Sequence, residues 1–441
     1  MKKFLSFCVA LLLCGHTVLA AEPNVAAQGA ALIDGETGRL LWGKNAESPM
    51  EMASTTKIMT AILVLEKADP KEVVTISKNA AKQPDVQMGL KEGEQWYAGD
   101  LLRAMMLKSY NDAAVALAEH VSGSVEAFCM EMTAKAASIG ATDTVFGSPN
   151  GLDSHLTREQ HHSTPLDMGI ITAYALQNPV FREIAVLPSH TFADVSGKKV
   201  HTAVNTDRFL QMYAGALGVK TGYTNKAGHC FVGAAEQEDM TLVSVVLASG
   251  WGNTGKEAKW TDTKRLMDYG FATYDKQEIA EVGEKMGEIM VTRSPVEEIT
   301  AGLGEGYSGV FSEDEVSRLR WQTELPETLE APIEQGEQIG TAALELDGEI
   351  IAEIPLTAQS EAPAYTLAEQ YRRLLSVWFG WTEFLPEMRF FFDFPLFLLY
   401  TDGTKRTEEK PWKKDCRNFW RRQASLPAEN QKNSLPQAVC R

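Results

Sequence analysis

Ser54-Thr55-Thr56-Lys57 places a hydroxyl and an amine three residues apart at the head of an apolar-periodic stretch. On a helix, positions i and i+3 share a face, so the two side chains can meet. A serine hydroxyl is a weak nucleophile that needs a base, and lysine serves as one only when burial or a neighbouring cation keeps it neutral. The pattern alone is weak, because Ser196-Gly197-Lys198-Lys199 repeats it in a polar turn with no helix behind it. That copy is read as a coincidence. Ser-x-Asn occurs three times, as Ser77-Lys78-Asn79, Ser109-Tyr110-Asn111 and Ser148-Pro149-Asn150. Ser109 lies between two helical runs, where a loop can aim a hydroxyl and an amide into a cleft. The other two suit local cap or turn chemistry. Lys220-Thr221-Gly222 occurs once and leads into an apolar strand. Its Lys and Thr can hold a carboxylate, while glycine lets a substrate backbone approach the strand edge.

These residues need a scaffold, and the hydrophobic pattern supplies one. Gly29 to Leu41 reads as a hairpin with Asp34-Gly35 and Thr37-Gly38 as turn signals. Ile58 to Leu65, Leu101 to Leu107, Ala113 to Val121 and Val125 to Ala137 show helical spacing, as does Lys256 to Tyr269. Cys230 to Ala235 and Met240 to Ala248 are β-rich, joined by the polar turn Glu236-Gln237-Glu238-Asp239. This predicts an α/β domain over residues 22–277, and the short alternating runs of residues 278–361 predict a small all-β domain with a hairpin at Asp347-Gly348. Leu367, Tyr371, Leu374, Leu375, Trp378 and Phe379 fall on one face of a helix, with Glu369, Gln370, Arg372 and Arg373 opposite. Residues 367–379 therefore suit a membrane surface. The apolar run that follows is broken by Asp393 and Pro395, so residues 362–400 hold an amphipathic segment and no spanning helix. Residues 401–441 read as a basic, poorly ordered tail.

The N-terminus has the plan of a secretory signal peptide over residues 1–21: Lys2 and Lys3, an apolar Phe4 to Leu13, then Val18-Leu19-Ala20. The mature chain is thus expected to be exported and to keep Cys129, Cys230, Cys416 and Cys440, which show no metal-ligand spacing. No metal and no cofactor are expected. A net charge of −17 argues against a nucleic-acid partner. The charge is unevenly spread: residues 22–277 carry 23 basic and 30 acidic side chains, residues 278–361 carry 4 and 20, and residues 401–441 carry 10 and 5. Acidity thus belongs to the β-rich region. His161 and His162 invite a Ser-His reading, but no Asp/His/Ser arrangement is recognisable, and His162 is read as structural.

Ser54, Ser109 and Lys220 follow one another at intervals of 55 and 111 residues. This order resembles the penicilloyl-serine enzymes, in which Ser-x-x-Lys, a Ser-x-Asn-type motif and Lys-Thr-Gly recur. Asn150-Gly151-Leu152-Asp153, His162-Ser163-Thr164-Pro165-Leu166-Asp167-Met168 and Gly218 to Gly228 narrow the resemblance. They are similar to the low-molecular-weight penicillin-binding proteins, the serine-type D-alanyl-D-alanine carboxypeptidases. The resemblance spans roughly residues 26–380 and finds no counterpart for residues 381–441.

It implies a β-lactamase/transpeptidase-like fold, an antiparallel sheet flanked by helices, ahead of the all-β domain and the amphipathic helix. It implies Ser54 as nucleophile on a peptidoglycan stem peptide, Lys57 as its base, Ser109 as a proton relay and Asn111 as a positioning amide. Lys220 and Thr221 would bind the terminal carboxylate, with Gly222 beside them in the substrate-binding strand, and the backbone N–H groups of Ser54 and Tyr223 would hold the oxyanion. β-Lactams would be inhibitors, and the place of work the outer face of the cytoplasmic membrane. Tyr110 and Tyr223 stand where many relatives carry a smaller residue and a histidine, so altered substrate or antibiotic preference, rather than loss of activity, is expected from them. A class A β-lactamase is the nearest rival, but no convincing Glu-x-x-Leu-Asn lies between Ser109 and Lys220, and the second domain argues against it. A non-catalytic β-lactam sensor or wall-binding protein is the other, but a sensor needs a spanning helix and a degenerate relative is expected to lose Ser54 or Lys57.

Overall fold

The computed structural model describes residues 21–84 and 86–379. The signal-peptide expectation, the apolar run beyond residue 380, the basic tail and Cys416 and Cys440 lie outside the described residues. In chain order, β1 (Gly29–Asp34) and β2 (Leu40–Lys44) form the expected hairpin, and a 3₁₀ turn at Ala53–Thr56 leads into α1 (Lys57–Lys67). A short ribbon of β3 (Val73–Thr75) and β4 (Gln95–Tyr97) precedes three helices, α2 (Ala98–Lys108), α3 (Asn111–Ser122) and α4 (Val125–Ser138). Then come α5 (Pro165–Leu176), α6 (Pro179–Val186), the hairpin of β5 (Ser189–Ala193) and β6 (Val200–Val204), and the one-turn α7 (Phe209–Met212). Strands β7 (Ala216–Thr224), β8 (Gly228–Gln237) and β9 (Met240–Leu247) and the long α8 (Gly252–Thr273) follow.

The main sheet has the order β2-β1-β9-β8-β7 and is antiparallel throughout. Alternation along each strand decides which side its residues serve. Ala31, Ile33, Cys230, Val232, Val243 and Val245 join one core with α1 to α6. Ala30, Leu32, Phe231, Leu242 and Val246 join a second with Trp260, Leu266 and Met267 of α8. A sheet buried on both faces needs apolar residues at every position, which is why β8 and β9 read as near-continuous apolar runs. Phe231 is fully buried, and its truncation to alanine is of the kind that costs about 3–5 kcal/mol. The polar turn after β8 is tighter than the sequence suggests. Pairing continues to Gln237, and only Glu238 and Asp239 turn, with Glu238 at φ 54°.

The β-rich region opens at β10 (Asp275–Ala280) and continues through β11 (Lys285–Thr292), β12 (Glu298–Leu303) and β13 (Tyr307–Phe311). One short helix, α9 (Glu313–Arg318), interrupts it, started by a capping box between Ser312 and Glu315. After it come β14 (Arg320–Glu324), β15 (Thr328–Glu330), β16 (Gln338–Leu346) and β17 (Glu349–Ala358). β10 pairs β13, and the rest form a sheet of order β14-β16-β17-β12-β11-β15. Arg39 ties this region to the first hairpin: its guanidinium meets both oxygens of Glu315 at 2.9 and 3.2 Å and lies 4.5 Å over the Phe311 ring.

From Tyr365 onward the chain forms a second unit, whose described element is α10 (Leu367–Phe379). Leu367, Tyr371, Leu374 and Trp378 on it are exposed. No described helix is long and apolar enough to cross a membrane.

Candidate active site

Ser54 sits in the 3₁₀ turn and Lys57 opens α1, so a tight turn followed by a helix brings their side chains together. Lys57 Nζ lies 2.9 Å from Ser54 Oγ, 2.9 Å from Asn111 Oδ1 and 2.6 Å from the carbonyl oxygen of Asn150. Its residue is fully buried. Burial, and then the charge of Lys220, hold the amine well below its ordinary value, with Asp112 pulling the other way. Ala53, just before the serine, has φ 49°, a strained conformation for a residue with a Cβ. Two glycines grip this turn. A Cβ on Gly151 would lie 1.9 Å from the Ala53 carbonyl oxygen, and one on Gly222 would lie 3.0 Å from Ser54 N.

Lys220, Thr221 and Gly222 lie on β7, the edge strand nearest this turn. Lys220 is buried, and its ammonium donates to the Thr221 carbonyl at 3.0 Å. Burial lowers its pKa to about 7, opposed by Asp207 and reinforced by Lys259. Lys259, from α8, is itself buried and lowered to about 8, its ammonium 4.5 Å over the Trp260 ring. Asp207 is the acidic member of this group. Burial raises its carboxyl to about 6, one oxygen accepts from Phe209 N at 2.8 Å, and among the described residues the other has no hydrogen-bond partner. Ser109 ends α2 at φ 65°, and Asn111 starts α3 with its Nδ2 donating to the Pro84 carbonyl at 3.1 Å. The structure thus joins Ser54, Lys57 and Asn111 in one hydrogen-bonded set. Ser109 Oγ makes no hydrogen bond among the described residues.

The chain matches the family model described as D-alanyl-D-alanine carboxypeptidase over residues 16–250. The chain belongs to the D-alanyl-D-alanine carboxypeptidase family. Residues 274–364 match the model described as the C-terminal domain of penicillin-binding protein 5. The chain is 30% identical over 364 residues to the D-alanyl-D-alanine carboxypeptidase DacF of Bacillus subtilis, covering 81% of this chain and 90% of that one. With DacC of Escherichia coli it shares 31% identity over 364 residues, 78% of this chain and 88% of the other. The crystal structure of penicillin binding protein 5 from Haemophilus influenzae superposes with a TM-score of 0.64 at 29% identity, covering 77% of this chain and 98% of that one.

The two tyrosines expected to set substrate preference lie in different surroundings. Tyr110 is buried, with its hydroxyl 3.0 Å from Nε2 of His201 on β6. Tyr223 is 46% exposed and packs on His229 at 4.4 Å, a position open to ligands. His161 is buried, lowered to about 4 chiefly by burial, and accepts from Gly147 N, with its other nitrogen 3.4 Å from Thr56 Oγ1 and no hydrogen bond to Ser54. Cys129 and Cys230 are buried free thiols pushed up to about 12 by burial.

Sequence reasoning missed two site components. Ser148-Pro149-Asn150, read as a mere turn, supplies the Asn150 carbonyl to Lys57 and the Pro149 carbonyl to Thr60 Oγ1 at 2.6 Å. Asp112, one residue past the Ser-x-Asn motif, accepts from the backbone N–H groups of Met88, Gly89 and Leu90 at 2.9–3.1 Å and fixes the loop beside Asn111.

Proposed function

We propose that this carboxypeptidase uses Ser54 as its nucleophile and Lys57 as its general base, releasing the terminal D-alanine from peptidoglycan stem peptides. The observation that carries the reading is the environment of Lys57 Nζ. A neutral amine has two N–H groups and one lone pair. Two of its three neighbours, Asn111 Oδ1 and the Asn150 carbonyl, can only accept. In the neutral amine these two take both hydrogens, which frees the lone pair for the Ser54 hydroxyl, the one neighbour able to donate; that hydroxyl lies 2.9 Å from Nζ and within 3.2 Å of the same Asn150 carbonyl.

In the reaction Ser54 Oγ attacks the carbonyl between the two D-alanines as its proton passes to Lys57. The oxyanion forms against the N–H groups of Ser54 and Tyr223; the first lies in the opening turn of a helix, where N–H groups lack intrahelical acceptors. Lys57 returns the proton through Ser109 to the departing amine, the C–N bond breaks, and the acyl group stays on Ser54. Water then hydrolyses the ester. Lys220 and Thr221 hold the substrate carboxylate on β7, with Gly222 admitting the peptide backbone. The carboxylate's arrival favours the charged form of Lys220, which in turn keeps Lys57 neutral. β-Lactams acylate the same serine, in keeping with the match to penicillin-binding structures.

The expected result is release of D-alanine from diacetyl-Lys-D-Ala-D-Ala by wild type and none by Ser54→Ala. Equal release by the two would exclude Ser54 as nucleophile. The same proposal divides the chain into the catalytic domain of residues 22–277 and the β domain of residues 278–361, exported behind a cleaved signal, with β10 (Asp275–Ala280) running across that boundary. The exposed apolar face of α10 supports attachment to a membrane surface. Truncation before Ala364 should abolish flotation with anionic vesicles; unchanged flotation would remove that role.

A further inference from the structure

Ser109 and Asn111 must hold their places to within a fraction of an ångström for a relay to work, yet the turn that carries them is strained. Ser109 has φ 65°, a conformation that costs a non-glycine residue about 1–2 kcal/mol, so the turn relaxes unless neighbours hold it. Asn111 is tied by its own hydrogen bonds to Lys57 and Pro84. Ser109 has no side-chain hydrogen bond among the described residues, so the direction of its hydroxyl is inherited from the backbone on either side of it.

The hairpin β5–β6 and the residues just after it lie along the helix that leads to this turn and are fastened to it, and to β4 ahead of it, at several points. Near the tip, Val195 N donates to the Gln95 carbonyl at 2.9 Å, and the Phe192 ring meets Trp96 edge-on at 5.6 Å. At the first turn of α2, His190 Nε2 lies 2.6 Å from Asp100 Oδ1. At its last turn, Thr206 N and Oγ1 both reach the Leu107 carbonyl at 3.1 Å, satisfying one of the orphan acceptors of the helix end. Three residues beyond Leu107, His201 of β6 meets the Tyr110 hydroxyl at 3.0 Å, with the rings edge-on at 5.4 Å and Phe192 packed on His201 at 5.6 Å.

We infer that His201, acting through Tyr110, is a positioning residue for the Ser109 relay, and that the β5–β6 hairpin is a brace that keeps the strained turn in register. The inference rests on the reading of Ser109 as a site residue. It also accounts for the large residue in the middle of the Ser-x-Asn motif: its ring is a strut inside the fold. The bond needs no charge on the histidine, and burial holds His201 below its ordinary value.

The test is a cycle of variants in the full chain. Tyr110→Phe and His201→Phe keep both rings and delete the bond. Each should lower kcat for diacetyl-Lys-D-Ala-D-Ala about tenfold with KM within about twofold. Their Tm should stay within about 3 °C of wild type. The double variant should be no slower than either single one, because both delete the same bond. His201→Gln, which returns a polar group at the reach of Nε2, should recover most of the rate. Wild-type kcat in both single variants, additive losses in the double variant, a rise in KM in place of the fall in kcat, or a glutamine variant no better than the phenylalanine one would each overturn the brace. Penicillin labelling of Ser54→Ala would instead overturn the reading of the site on which it rests.

Discussion

The chain contains Ser-x-x-Lys twice, and the two copies have opposite fates. Ser54 and Lys57 lie on a 3₁₀ turn running into α1, with the lysine fully buried and bonded to its serine at 2.9 Å. Ser196 and Lys199 lie at the tip of the β5–β6 hairpin. There the serine hydroxyl donates to Asp194 at 2.6 Å, and the exposed lysine pairs with Glu94. The spacing is the same. What differs is that the first lysine is stripped of water and of any carboxylate partner, while the second is offered both. A lysine becomes a base through what its surroundings withhold.

The comparison breaks first at its strongest point. Ser54→Ala and Lys57→Ala should each lower the rate of penicillin acylation by at least about 10³-fold with the fold intact. A Lys57→Ala enzyme acylating at wild-type rate would remove the distinction between the copies. Next comes the second buried lysine. Lys220→Ala should cost about 10²-fold in kcat/KM by deleting the carboxylate's partner. It should also move the acid limb of the rate profile to higher pH, because the charge that depresses Lys57 is gone. An unmoved limb would mean that burial alone sets Lys57.

For wild type, kcat/KM should trace a bell. It falls on the acid side as Lys57 takes up a proton, and on the alkaline side, near pH 7, as Lys220 loses one. A profile still rising above pH 8 would exclude that assignment of Lys220. Asp207→Asn probes the same group through stability. Folded Asp207 keeps its proton up to about pH 6, whereas an unfolded aspartate releases it near 3.8. Wild type therefore loses stability as pH rises through that window. The variant should be more stable by roughly 1–3 kcal/mol at pH 7–8, with the gap closing toward pH 4. Urea titrations at the two pH values decide it. The smallest effect is expected at the other copy: Ser196→Ala and Lys199→Ala should acylate within about twofold of wild type, as surface changes do.

Much of this was legible in the amino-acid pattern, for stated reasons. α1, β8 and β9 announce themselves because burial on one face or two leaves a period in the hydrophobic residues. The meeting of Ser54 with Lys57 was legible because the two side chains sit at a fixed local spacing, and the roles proposed for Asn111 and Lys220 rest on side chains in equally short motifs. The Asn150 carbonyl was not, since every residue carries one and only the fold decides which of them meets Lys57. Asp112 was hidden because it binds three backbone N–H groups, which have no sequence signature. The partnership of Tyr110 with His201 spans 91 residues and depends on a hairpin lying along a helix, which local spacing cannot express. Lys259 and Asp207 reach Lys220 from α8 and from the loop before α7, and periodicity gave neither a role.

The two glycines that grip the Ser54 turn bear on how such an enzyme escapes an inhibitor. Any side chain at position 151 would collide with the Ala53 backbone, and one at 222 would press on Ser54 N itself. With Ser54 as the proposed nucleophile, added bulk at either position should displace it and disable the enzyme for its own substrate as surely as for the drug. Viable resistance is thereby steered away from the floor of the cleft and toward its rim, where half-exposed Tyr223 can change shape without disturbing the backbone beneath it.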